Sequence, residues 1–154
     1  MRNRKIWVFV ILAVLVTSYS FMIYSNSSKI ARDYIFDYNY LLIWSYGDIH
    51  SYSLDKNNLF EMPYDNIWSL QDKSPVHYLN QEITSERFLG FHPQYGLRHL
   101  FVLKANQEII GGHSNDFRLL PSNGLSESIT GEEVTKESFL KWKEKTKLEI
   151  SKLN

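Results

Sequence analysis

"LRHLFVLKANQEIIGG" (residues 97–112) decides how the fold is read. Two runs of strand-favouring residues, 97–104 and 108–112, flank the short polar segment Ala105-Asn106-Gln107, the pattern of a β-hairpin. Period-two alternation puts Leu97, Phe101 and Leu103 on one face of the first run and Leu100 and Val102 on the other. A strand that is apolar on both faces belongs in the middle of a sheet, covered from both sides.

Working outward towards the N-terminus, "HPQYG" (92–96) reads as a loop, and Ser74-Pro75 as the start of a short helix over about 75–82. Serine can cap the free amides of that helix, and proline suits its first position. "DKNN" (55–58) is a loop signal. "YIFDYNYLLIWSY" (34–46) reads as helix to about residue 36 and strand thereafter, with Gly47-Asp48 as a turn into a second strand, "IHSYSL" (49–54). Towards the C-terminus, residues 114–133 are polar and turn-rich, with Pro121, Gly124 and Gly131. A closing helix follows, with Thr135 as N-cap and Val134 and Phe139 spaced as a hydrophobic staple. Phe139, Trp142, Thr146, Ile150 and Leu153 recur at helical spacing, so Phe139 and Trp142 are expected to be buried against the sheet. The fold class expected is α+β, with a small, mainly antiparallel sheet and a C-terminal amphipathic helix.

The N-terminus, "MRNRKIWVFVILAVLVTSYSFMIYSNSSK", places this domain relative to a membrane. Arg2, Arg4 and Lys5 form a basic flank (1–5), and Ile6 to Tyr24 carries no charge. As a helix that run is about 28 Å long, close to the hydrocarbon thickness of a bilayer. Trp7, Tyr19 and Tyr24 suit the two interfaces, and the basic flank is expected to stay cytoplasmic. The expected organisation is a transmembrane anchor at 6–24, a juxtamembrane linker at 25–33 and an extracytoplasmic domain at 34–154. Two other readings compete: a signal peptide cut after Ser20, leaving a secreted domain, and a buried helix of a soluble protein. The apolar run continues through "FMIY" beyond Ser20, which favours the anchor.

Charge and cysteine usage exclude several function classes. The 17 basic and 17 acidic residues cancel, but Lys29–Thr135 holds 8 basic against 14 acidic, and Lys136–Asn154 holds 6 against 3. An acidic body does not suit nucleic acid, which needs a basic surface. The basic tail reads as a solvated helix face, with anionic headgroups as a weaker alternative. The chain has no cysteine, hence no disulfide, thiol chemistry or thiolate metal site.

Motifs for chemistry are sparse. Four of the five histidines, His77, His92, His99 and His113, lie within one stretch, with Glu82 and Glu86 near them. No HExxH or other ligand spacing accompanies them, and His99 shares a strand face with Leu97 and Phe101, as a packed histidine would. "SLDK" (53–56) and "SFLK" (138–141) match a serine–x–x–lysine pattern without its companion motifs. His113 and Ser114 are adjacent on a strand and so face opposite ways. Gly111-Gly112 reads as a bulge or strand end. Glu82/Glu86 and Glu132/Glu133 read as solvated pairs. No catalytic, cofactor or metal residue is assigned. The aromatic content of 15% is expected to fill the core, and an exposed aromatic platform is the alternative.

"HLFVLKANQEIIGGHS" and "ITGEEVTKESFLKWKEK", a strand, turn, Gly-Gly strand end, polar loop and closing Trp-containing helix, resemble the C-terminal half of small membrane-anchored extracytoplasmic proteins of Gram-positive bacteria. The resemblance covers about residues 99–147, implies location and architecture, and carries no catalytic residue. The function expected is a membrane-anchored binding or accessory module that contacts the lipid bilayer through residues 6–24 and a further membrane or envelope component. An envelope hydrolase or metal-binding enzyme using His77, His92, His99 and His113 is the alternative, and a protective or regulatory protein restraining a partner enzyme is the third.

Overall fold

A computed structural model describes residues 2–117, 127–131 and 134–153. Helix α1 (Arg2–Ser25) leads into α2 (Lys29–Asp37) and then β1 (Leu41–Ser53). The crossover 54–81 holds a 3-10 turn (Asn58–Phe60), α3 (Tyr64–Ser69) and a second 3-10 turn (Pro75–Tyr78). Strands β2 (Glu82–His92), β3 (Gly96–Ala105), β4 (Glu108–Asp116) and the short β5 (Glu127–Ser128) complete the sheet, and α4 (Lys136–Ser151) closes the chain. The five strands pair antiparallel in chain order, with β3 central. The molecule is α+β, as the hairpin at 97–112 implies.

Register sorts the side chains into two faces. On one, Phe88, Leu100 and Val102 pack with Leu42 and Tyr40 against Ala31 and Ile35 of α2. On the other, Ile83, Leu103 and Ala105 meet Leu54, Leu59, Trp68 and Tyr78 of the crossover. The Trp68 indole is fully buried and its N–H donates to the Tyr52 hydroxyl at 3.1 Å. Strand β1 skips a residue against β2 at Ile43, Tyr46 and Ile49. Such bulges strengthen the twist of an edge strand and protect it from pairing with another chain.

Four local readings are corrected. Gly47-Asp48 is no turn: Gly47, at φ +73°, sits beside the bulge inside one continuous β1. The helix after Ser74 is a single 3-10 turn, capped by the Ser74 hydroxyl accepting from Val76 N–H, and residues 82–92 form the full strand β2. Gly111-Gly112 is no strand end but lies inside β4, next to a bulge at Ile110 that agrees with the other half of that reading. A Cβ at Gly111 would lie 2.1 Å from Gln71 Oε1, so the missing side chain there lets the crossover approach the strand. Helix α4 packs chiefly on α3 and the second 3-10 turn, with Trp142 and Ile150 at the margin of the cluster that also holds Ile83, Leu103 and Ile110 of the sheet. Its Thr135 cap forms as expected, with the hydroxyl accepting from Ser138 N–H at 3.1 Å. Phe139 and Trp142 are only half-buried, at the margin of the Trp68 core beside Phe60. Pro121, Gly124, Glu132 and Glu133 lie outside the described residues.

The junction of α1 with the domain is built from hydrogen bonds. Arg32 Nη1 donates to the Ser27 carbonyl at 2.5 Å and the Ser27 hydroxyl at 2.8 Å, and its guanidinium lies 4.3 Å over the Tyr24 ring. A cation at a helix C-terminus complements the unpaired carbonyls there. The stretch read as a linker (25–33) therefore holds a knuckle and the first turn of helix α2. Side chains from Ile6 to Tyr19 are exposed, and Ile23 is buried in the domain. The buried-helix reading fails on that exposure, and α1 has the length and apolar composition to cross a membrane.

Candidate functional site

The crossover covers only half of its sheet face, and the open half carries an ordered row of rings and charge. Pairing aligns Gly47 with Arg87, Arg87 with Phe101, and Phe101 with His113 across four strands, with the bulged Tyr46 beside Gly47. The Arg87 guanidinium lies 4.6 Å over the Tyr46 ring and 5.7 Å from the Phe101 ring. Phe101 stacks on His113 at 4.7 Å and 5°. A cation held over ring faces is stabilised by their quadrupoles, more strongly as water is removed.

The next row pairs Leu89 with His99 and His99 with Asn115. Arg87 Nη2 lies 3.2 Å from Nδ1 and 3.1 Å from Nε2 of His99. Burial and the Arg87 charge both lower the His99 pKa, so a neutral imidazole accepts from the guanidinium. Burial alone brings the His113 pKa down to about 4. Among the described residues, no carboxylate lies within ion-pair distance of Arg87. Arg87 Nε, His113 Nδ1 and Asn115 Oδ1 are buried without a hydrogen-bond partner, which is half of the six such atoms described. Buried polar groups are normally paired, so their concentration in two neighbouring rows marks this region.

Beside these rows a cavity of about 340 Å³ opens between the sheet and the segment Met62–Ile67. Tyr52, Tyr64 and Phe101 supply apolar walls, and Ser85, His113 and Asn115 supply polar groups. His113 is 5% and Asn115 8% exposed. A mostly apolar cleft with a few convergent polar groups has the composition of a small-ligand site.

The histidines do not converge. His99 and His113 share this face, whereas His92 packs between Tyr40 and Tyr95 at the β2–β3 turn, 4.9 and 4.5 Å from their rings. His77 is exposed on the 3-10 turn. Among the described residues, no group of three histidine or acidic side chains is placed to hold a metal. Ser114 lies on the opposite face from His113, donating to the Ser128 carbonyl at 3.1 Å. The Glu82/Glu86 reading is corrected at Glu86, which is 1% exposed and paired with Lys104 at 2.7 Å. Arg87 and Tyr46 escape a reading of the sequence that lacks β2. The signal for them is the alternation Ser85, Arg87, Leu89, Phe91 within "TSERFLGF" (84–91).

No family model, curated protein or solved structure matches the chain.

Proposed function

We propose that the chain is a membrane-anchored extracytoplasmic binding module, with α1 as the retained anchor and the open half of the sheet as its binding site. The observation that carries this reading is the Arg87 cation, which has no carboxylate within ion-pair distance among the described residues and is held between Tyr46 and Phe101 beside a cavity with unpaired buried polar atoms. Its fitting partner carries a carboxylate or phosphate next to a flat or apolar group. The anion would pair with the guanidinium, and the flat group would stack on the exposed Tyr46 ring. Retention of α1 is supported by the hydrogen bonds that bind its last turns to the domain, since a cut after Ser20 would remove the Tyr19 contact with Ile43. The basic flank before Ile6 favours a cytoplasmic N-terminus, with the domain outside.

The test is photocrosslinking in intact cells from a benzoylphenylalanine at position 46, with the adduct identified by mass spectrometry. The expected result is a discrete adduct that disappears in an Arg87→Gln background while the protein level and membrane fraction are unchanged. An adduct pattern indifferent to Arg87→Gln would remove this site from the reading. Release of the chain by alkaline washing of membranes would remove the anchor.

A further inference from the structure

We infer that the open edge of β4 is a second binding site, which takes an extended peptide segment of a partner as an added strand. The site is separate from Arg87 and does not depend on the anchoring of α1. Strand β5 pairs with β4 at two positions, His113 with Ser128 and Ser114 with Glu127. The chain then turns away: Gly131 N–H donates to the Ser128 carbonyl at 2.9 Å, and Gly131 has φ +79°. Among the described residues, no strand pairs with β4 on that side from Glu108 to Gly112. The regular part of this open edge is Gly111-Gly112, next to the Ile110 bulge. A strand paired on one side turns alternate N–H and C=O groups outward, as a template for another chain.

That edge is recessed in a cleft of about 440 Å³. Tyr34 and Tyr38 of α2 form one wall, and residues 70–73 of the crossover form the other. Both walls rest directly on the strand where it carries no side chain. A Cβ at Gly112 would lie 3.0 Å from the Tyr34 ring, and one at Gly111 2.1 Å from Gln71 Oε1. Asp72 is near enough to Tyr34 to help raise its pKa, behind the larger effects of burial and Tyr38. A cleft walled on both faces of one strand admits a single extended chain and keeps out the edge of another sheet. The occupant is therefore a peptide segment, and not a second copy pairing β4 to β4.

Successive side chains of an added strand point to opposite faces. On the α2 side they would meet Tyr38 and Ile129, and on the crossover side Asp72. Lys73 is already engaged by Glu108 at 2.5 Å and by the Ile109 carbonyl at 2.7 Å. Asp72 has no ion-pair partner among the described residues. The fitting segment alternates an apolar or aromatic residue with lysine or arginine, and has no proline where its backbone bonds to β4. Backbone bonds supply the affinity of such an addition, and the alternate side chains supply its selectivity.

The test pans random phage-displayed peptides against the full chain in phosphatidylcholine nanodiscs. The best binder is then resynthesised with a single backbone N-methyl group at each residue in turn. Methylation at alternate residues is expected to weaken binding about tenfold, the loss of one hydrogen bond with its partner left unpaired, and the intervening positions little. Asp72→Lys is expected to weaken binding several-fold, and Arg87→Gln to leave it unchanged. Hydrogen exchange of amides within 109–112 should slow when the peptide is added. No enrichment over empty nanodiscs, or an N-methyl scan without alternation, overturns the proposal. Amides at 109–112 that are all slow before peptide is added also overturn it, because the edge is then covered within the molecule. Binding lost in Arg87→Gln and kept in Asp72→Lys assigns the peptide to the Arg87 site, which overturns this inference and leaves that reading standing. Asp72 is exposed, so its substitution leaves the core untouched, and the near-ultraviolet circular dichroism of buried Trp68 verifies the fold.

Discussion

Glu86 holds Ser28 by two bonds, accepting from its backbone N–H at 2.8 Å and from its hydroxyl at 2.6 Å. The same carboxylate pairs with Lys104, which also reaches Asp48 at 2.8 Å. Ser28 caps α2, so one buried carboxylate on β2 fixes where α1 ends and α2 begins. Removing it leaves a largely buried ammonium and an unmade backbone bond at the knuckle. Glu86→Ala is expected to cost about 3–5 kcal/mol in urea unfolding of the detergent-solubilised chain. Glu86→Gln keeps an acceptor for Ser28 and leaves Lys104 its bond to Asp48, so its loss should be clearly smaller. Equal losses for the two would show that charge alone governs the junction.

Two tryptophans separate the core from its margin. Trp68 is fully buried with its N–H bonded, whereas Trp142 is half-buried between Phe60 and Phe139. Trp68→Ala is expected to cost about 3–5 kcal/mol, and Trp142→Ala about half of that. Thermal or urea unfolding of the two variants checks the order. A larger loss at Trp142 would make α4 part of the main core.

The hairpin at 97–112 was legible because its alternation and turn agree, and its face assignments put His99 beside Leu97 and Phe101 correctly. Strand β2 was hidden because "EITSERFLGF" carries Glu86 and Arg87 where alternation alone predicts solvent. Each finds its surroundings across strands, Glu86 paired with Lys104 and Ser28 and Arg87 laid over rings without a carboxylate among the described residues, and such placement appears only once register is known. The same gap concealed the site. Arg87 and His113 are 26 positions apart in the numbering yet lie in one row with a single strand between them, joined through Phe101. Gly47 misled for a different reason: its positive φ serves a bulge, which a sequence cannot tell from a turn.

Gly112 tests how closely α2 is packed on the sheet. A Cβ there would lie 3.0 Å from the Phe101 carbonyl, 3.0 Å from the Tyr34 ring and 3.1 Å from Ile129 Cδ1. All three would have to give way, and one of them is backbone. Gly112→Ala is expected to destabilise by about 1–3 kcal/mol, the range for overpacking. Urea unfolding measures it, and a neutral or stabilising result would show that α2 rides loosely on β4.

His113 gives the fold a dependence on pH whose sign follows from its burial. Its pKa falls from 6.5 to about 4, so between those values the unfolded chain binds a proton that the folded chain does not. Stability therefore rises with pH across that window and is complete above about 6.5. Acidification through the window should remove about 3 kcal/mol from this residue alone, at 1.36 kcal/mol per pH unit of displacement. His99 acts in the same direction, because burial and Arg87 lower its pKa too. Carboxylates titrate nearby in pH, so the diagnostic quantity is the difference from His113→Phe, which keeps a ring stacked on Phe101 and cannot bind a proton. Urea midpoints at pH 7, 5.5 and 4.5 should keep a constant offset between the two proteins only if His113 is silent. The expected outcome is a shallower pH dependence in His113→Phe, with the missing slope confined to pH below 6.5.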